Sequence, residues 1–150
     1  MQPKIQTKPA FTAIGFSNHR DCSPGAIPSV WQKNGPTLAS LSSAEPGVFY
    51  GIMRDFDPAD RSLEYIAAIP VTDDTPTPEG MVRWEVPEQT YAVFDATLAT
   101  IPDTFHALHA NWFPSSGYQH AGGPELERYG PDFDTDDTRP LTIWIPVSGG

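Results

Sequence analysis

The chain has 150 residues, with 9 Lys and Arg against 19 Asp and Glu, a formal net charge of −10. Hydrophobic residues at 39% and aromatics at 11% supply one domain with a core, so the acid excess does not make the chain disordered. That charge has the wrong sign for a phosphate backbone or an anionic lipid surface, which argues against direct nucleic-acid or membrane partners. Cys22 alone cannot form an internal disulfide, the start MQPKIQTKPAF lacks a signal-peptide apolar stretch, and no window approaches the ~18 apolar residues of a membrane-spanning helix. A cytoplasmic protein is expected.

In chain order, Phe11 to Phe16 (FTAIGF) predicts the first strand. Ile27-Pro28 opens a helix, since proline is tolerated in a first turn. Gly47 to Met53 and Leu63 to Val71 form a predicted hairpin across Asp55-Phe56-Asp57-Pro58-Ala59-Asp60, because Asp and Pro favour turns. Thr72 to Met81 is polar, turn-rich and reads as a linker. Tyr91 to Ala96 predicts a strand, and a helix follows Pro102 with Asp103 as its N-cap. In that helix Phe105, Leu108 and Trp112 share one apolar face, and Pro114 with the turn Ser115-Ser116-Gly117 ends it. Leu126 to Tyr129 is expected to pair with Leu141 to Val147 across Asp132-Phe133-Asp134-Thr135-Asp136-Asp137.

This order repeats itself. Both DFDxxD segments follow a Tyr-Gly pair (Tyr50-Gly51, Tyr129-Gly130) and lead to Ile-Pro-Val, at 69–71 and 145–147. Trp31 matches Trp112, and the strand at Phe11 matches that at Tyr91. The matches keep one order and nearly one offset, as a duplication with small loop changes produces. The expected fold is α+β: one domain over 1–150, built of duplicated βαββ units (SH2-like repeats, about 8–71 and 82–148, linker 72–81) packed about a pseudo-twofold axis. Two such units cover each other's open antiparallel sheet faces and leave a central cleft where small molecules usually bind.

Strand alternation puts Glu127 and Tyr129 on one face, with Leu126 and Arg128 on the other. From the residues alone, Glu127 is either a cleft carboxylate that holds a cation or an exposed one paired with Arg128 or Arg139. The aromatics Tyr50, Tyr65, Tyr91, Trp112, Tyr118, Tyr129 and Trp144 are candidate ligand walls, since a ring face attracts a cation and buries apolar area. Trp112 and Tyr118, bracketing the exit of the second helix, are the foremost of these, whereas Phe56 and Phe133 read as structural plugs in the turns. His19, His106, His109 and His120 lack an H-E-x-x-H arrangement or a cysteine pair, so no metal or other cofactor is expected. The DFDxxD loops lack the glycine and the bidentate Glu of an EF-hand and read as β-turns, and Ser115-Ser116-Gly117 is not a nucleophile elbow.

The ordered set Tyr91-Ala92-Val93-Phe94, Asn111 to Tyr118 (NWFPSSGY), Pro124 to Tyr129 (PELERY) and Ile143-Trp144-Ile145-Pro146-Val147 resembles the GyrI-like effector-binding domains, which occur alone and attached to AraC-type and MerR-type multidrug-responsive regulators. The resemblance implies two βαββ units around a cleft that takes up amphipathic, often cationic ligands against aromatic walls and an acidic residue, a position Glu127 matches. No helix-turn-helix is expected here, because the first repeat starts near Phe11. The leading expectation is a stand-alone domain that senses or sequesters a hydrophobic, cationic small molecule. Some members of that family are hydrolases of reactive electrophiles, which would make Glu127 a general base and Tyr118 or Tyr129 the proton donor. A third reading is an acidic module that inhibits a protein partner and has a filled seam.

Overall fold

A computed structural model of the chain describes residues 2–131 and 140–149. Its elements in order are β1 (Lys4–Lys8), β2 (Phe11–Ser17), α1 (Ala26–Ser40), β3 (Phe49–Asp57), β4 (Ser62–Val71), β5 (Val82–Val86), β6 (Gln89–Thr97), α2 (Ile101–Ala107), α3 (Phe113–Ser116), β7 (Tyr118–His120), β8 (Glu125–Tyr129) and β9 (Pro140–Gly149). A 3-10 turn, Leu98–Thr100, leads into α2, and a π-turn, Leu108–Trp112, joins α2 to α3, so the helical path runs unbroken from 98 to 116.

The fold is α+β. Its strands form one antiparallel sheet in the order β1-β6-β9-β8-β3-β4-β2-β5, with β7 on β9. Exchanging β1, β2, β3 and β4 with β5, β6, β8 and β9 returns the same order read from the other end. The opening strand of each half lies beside the other half, β1 on β6 and β5 on β2.

Alternation along the strands divides the core between two sheet faces. One face gathers Tyr50, Ile52, Ile66, Trp84, Tyr91 and Leu126. The other carries the helices: Leu38 of α1 meets Ile14, Tyr65 and Ile69, and Leu108 meets Phe94, Ile143 and Ile145. Each fully buried aliphatic or aromatic side chain contributes about 1.5–3 kcal/mol, so the two layers hold the sheet from both sides.

The expected β3–β4 hairpin forms, in a register that sets Ile52 opposite Ile66. Its turn is tighter than DFDPAD: Asp55 to Asp57 still belong to β3, and the turn is held by Asp57 Oδ1 accepting from the Ala59 N–H (2.9 Å) and Asp60 Oδ1 from the Ser62 N–H (2.9 Å). Phe56 is no plug, because it stands on the far end of β3 with 57% of its surface exposed. The second DFDxxD loop, with Phe133, lies outside the described residues. Asp103 is likewise not the N-cap. Thr97 and Thr100 cap each other in reciprocal fashion three residues earlier, leaving Asp103 in the first turn of α2, where its charge still suits the helix dipole. Strands β1, β5 and β7 were not foreseen.

Candidate functional site

The two halves of the sheet meet at β3 and β8, where Gly51 lies opposite Glu127, Phe49 opposite Tyr129 and Met53 opposite Glu125. On β4, Ala67 is opposite Gly51 and Tyr65 opposite Met53. Glu125, Glu127, Tyr129 and Tyr65 therefore project from the helix-covered face. Glu127 is only 7% exposed. Its Oε1 accepts hydrogen bonds from the hydroxyls of Tyr65 and Tyr129, each 2.8 Å long. Trp31 of α1 completes the chain, its Nε1–H donating to Tyr65 Oη at 2.8 Å while its ring stands edge-on to Tyr129, 5.5 Å between centroids.

This convergence needs the glycine. A Cβ at position 51 would fall on the Tyr65 hydroxyl and 2.6 Å from Glu127 Oε1, so only a residue without a side chain lets acid and phenol meet over the strand.

Burial pushes the Glu127 carboxyl above its ordinary value, opposed by the two tyrosine hydroxyls that stabilise its anion. Burial, with the neighbouring carboxylate, drives the phenols of Tyr65 and Tyr129 well upward, so both stay protonated donors. Among the described residues no Lys, Arg or His pairs with Glu127; Arg128 turns to the opposite face and reaches Glu45 at 3.8 Å. Arg139 lies outside the described residues. The carboxylate is thus solvated by hydroxyls and has no counter-charge there.

The other expected wall residues divide. Trp112 stacks on Tyr118 (5.8 Å, 16°) and meets Phe94 edge-on at 5.2 Å, and both pack against the cluster containing Tyr129. They share the face of Glu127, but no hydrogen bond joins Tyr118 to it; the phenols that touch the carboxylate belong to Tyr65 and Tyr129. Tyr50, Tyr91 and Trp144 occupy the opposite face. Tyr50 packs on Phe11 and donates to Glu45 Oε2 (3.2 Å), Tyr91 meets Trp144 edge-on at 5.6 Å, and Trp144 Nε1–H donates to Thr142 Oγ1. The reason is parity: Tyr50 is one residue from Gly51 and so points away from what Gly51 faces. Trp31 and Gly51 were not foreseen as site residues, although Trp31 stands in the sequence as the counterpart of Trp112.

Alongside lies an open groove of about 1040 Å³, lined in part by Met53, Leu63, Phe105, His109, His120 and Glu125. Met53 and Leu63 also pack against the cluster of Tyr65, and Phe105 against that of Tyr129, while Glu127, Tyr65 and Tyr129 themselves do not line the groove. Among the described residues no three His, Cys, Asp or Glu side chains are placed to hold a metal ion, and no helix is long and apolar enough to cross a membrane.

The fold is thus an α+β domain in which Glu127 sits among phenols and an indole, with no cationic side chain on it among the described residues. The chain belongs to the GyrI-like small molecule binding domain family, whose profile matches residues 1–148. It is 28% identical over 152 residues to the transcriptional regulator BrlR of Pseudomonas aeruginosa; that alignment takes in 98% of this chain and spans 56% of the regulator's length. The structure of SAV2435 bound to tetraphenylphosphonium matches with a TM-score of 0.78 at 19% identity, over 99% of this chain and 95% of that one. The EcmrR C-terminal domain matches with a TM-score of 0.66 at 12% identity, over 99% and 98%.

Proposed function

We propose that this domain binds a hydrophobic organic cation, with Glu127 as its buried counter-charge and Tyr65, Tyr129, Trp31, Trp112 and Tyr118 as its aromatic surroundings. One observation carries the reading: a carboxylate in the centre of the fold whose partners among the described residues are all neutral. Burying such a group is costly, and a cation arriving from solvent lowers that cost by pairing with it, while ring faces add about 0.5–2 kcal/mol each. The binding of tetraphenylphosphonium, a lipophilic cation, by SAV2435 supports the same ligand class. In this reading the two halves are copies of one unit meeting at β3 and β8, which the reversible strand order supports. The domain senses or sequesters its ligand in the cytoplasm, and its acidity disfavours contact with nucleic acid by this part of the protein.

Titration with a panel of lipophilic cations and matched neutral analogues tests the proposal. Cations should bind preferentially, and Glu127→Gln should weaken them about thirtyfold or more, the cost of leaving a charge desolvated without its partner. Equal affinity for charged and neutral analogues, or an unchanged Glu127→Gln, would remove the counter-charge role. Turnover of a strained electrophile that disappears in Glu127→Gln would instead identify a hydrolase, with Glu127 as base and Tyr65 or Tyr129, not Tyr118, as the hydroxyl in contact.

A further inference from the structure

We infer that the open groove is an outer subsite of the ligand site, in which Glu125 offers an approaching lipophilic cation a second carboxylate and His109 and His120 switch that carboxylate off when they take up protons. The inference rests on the reading of Glu127 as the inner counter-charge.

Glu125 and Glu127 project from one face of β8 two residues apart, a separation of about 6.6 Å. Between groove and core stands Met53, opposite Glu125 on one neighbouring strand and opposite Tyr65 on the next. A ligand lying along this face meets Glu125 first and Glu127 after Met53 has moved aside.

Both histidines converge on this one carboxylate. The Gly122 N–H donates to His120 Nδ1 (2.9 Å), which leaves the proton of the neutral ring on Nε2, and Nε2 donates to Glu125 Oε2 at 3.0 Å. His109, presented by the π-turn, puts its Nε2 3.7 Å from the same oxygen. The two rings lie nearly parallel, 18° apart with centroids at 6.4 Å, and Phe113 stacks on His109. With both imidazoles neutral, Glu125 presents a full negative charge to the groove. One proton cancels it, and two leave a net positive rim that repels a cation. Protonating His120 on Nδ1 also removes the acceptor of the Gly122 N–H, in a loop that lines the groove.

Other charged groups face the groove from every element around it. Asp55 and Arg54 of β3 pair with each other (3.6 Å), and Arg54 also pairs with Glu64 (3.4 Å), a group that keeps one net negative charge whatever the state of the histidines. Arg61 of the hairpin turn and His106 of α2 complete the lining. Among the described residues neither forms an ion pair with Glu125, whose two charged-group contacts are the histidines.

Tetraphenylphosphonium, whose charge does not change with pH, is a suitable probe. Its affinity for the wild-type protein is expected to fall about fivefold or more between about pH 8 and about pH 5.5, the range in which histidines titrate. Protonation of Glu127 acts in the same direction, so variants separate the two. His109→Gln with His120→Gln should abolish part of the pH dependence, read as the ratio of affinities at the two pH values within each protein, and Glu125→Gln should weaken binding about fivefold at pH 8 and lose the same part. Raising the salt concentration should shrink the Glu125 effect more than the Glu127 effect, because the groove is open to screening ions. The histidines and Glu125 are partly exposed, and melting temperatures matching the wild type verify folding. A double-histidine variant that titrates as the wild type does, or a Glu125→Gln protein that binds equally well at pH 8, overturns the outer subsite. Glu127→Gln in the same assay tests the inner site separately: unchanged affinity there, with Glu125→Gln weakened, would reject Glu127 as counter-charge.

Discussion

Gly51 and Glu127 face each other across the central strand pair, and each makes a sharp demand on its neighbours. Gly51→Ala would drive a methyl into the Tyr65 hydroxyl and the carboxylate. The expected outcome is a loss of about 1–3 kcal/mol in denaturant unfolding, as for other overpacked cores, together with weakened ligand binding. Glu127 has an acid–base signature as well. A carboxyl whose folded pKa is raised above its ordinary 4.5 holds its proton more tightly in the folded state. Its contribution is therefore favourable in acid, and stability falls as pH rises from 4.5 through the raised value. The exposed carboxylates of Asp21, Asp60 and Asp74, held below 3.8 by nearby hydroxyl and amide donors, act oppositely: their stabilisation is present above 3.8 and lost as pH falls through their lowered values. Melting temperatures measured between about pH 5 and about pH 8 should decline more steeply for the wild type than for Glu127→Gln. Much of this was legible locally, since strand parity alone puts Glu127 and Tyr129 on one face. Which of the remaining tyrosines joins them was not, because a one-residue difference in register exchanges Tyr50 for Gly51. The need for glycine at 51 is set by a phenol 14 residues further along the chain, and no local pattern announces it.

At the scale of elements, punctuation read more clearly than polarity. The DFDPAD turn announced the β3–β4 hairpin because Asp side chains bond backbone amides nearby. Strands β1 and β5 escaped notice since they are sheet edges: β1, KIQTK, is mostly exposed and carries the lysines that discourage further pairing. The start of the second helix was misplaced because Thr97 and Thr100 compete with Asp103 as caps, and the threonine pair satisfies two backbone donors at once. Thr97→Ala should destabilise the protein by about 1 kcal/mol, seen as a melting temperature about 3 °C lower. The π-turn at Leu108–Trp112 interrupts the regular helix, yet Phe105, Leu108 and Trp112 still pack into one core cluster as their spacing implied, and π-turns often occur at functional positions. Here it brings His109 to the groove and Trp112 onto Tyr118. Trp31 ties α1 to the site through Tyr65, so Trp31→Phe should cost about 1 kcal/mol and lower ligand affinity without touching the carboxylate directly.

Across the whole molecule, the net charge of −10 acts on approach more than on residence. Association of a cationic ligand should slow as ionic strength rises, with a smaller effect on dissociation, because screening weakens long-range attraction first; stopped-flow measurements at two salt concentrations check this. The exchange of opening strands has a different consequence. Because β1 completes the sheet beside β6 and β5 completes it beside β2, a gene cut in the 72–81 connection would yield two fragments, each missing an edge partner that the other carries. Such fragments should fold only when co-expressed, and under the proposed function a cation held at the junction would favour their reassembly, which is the behaviour a split reporter needs.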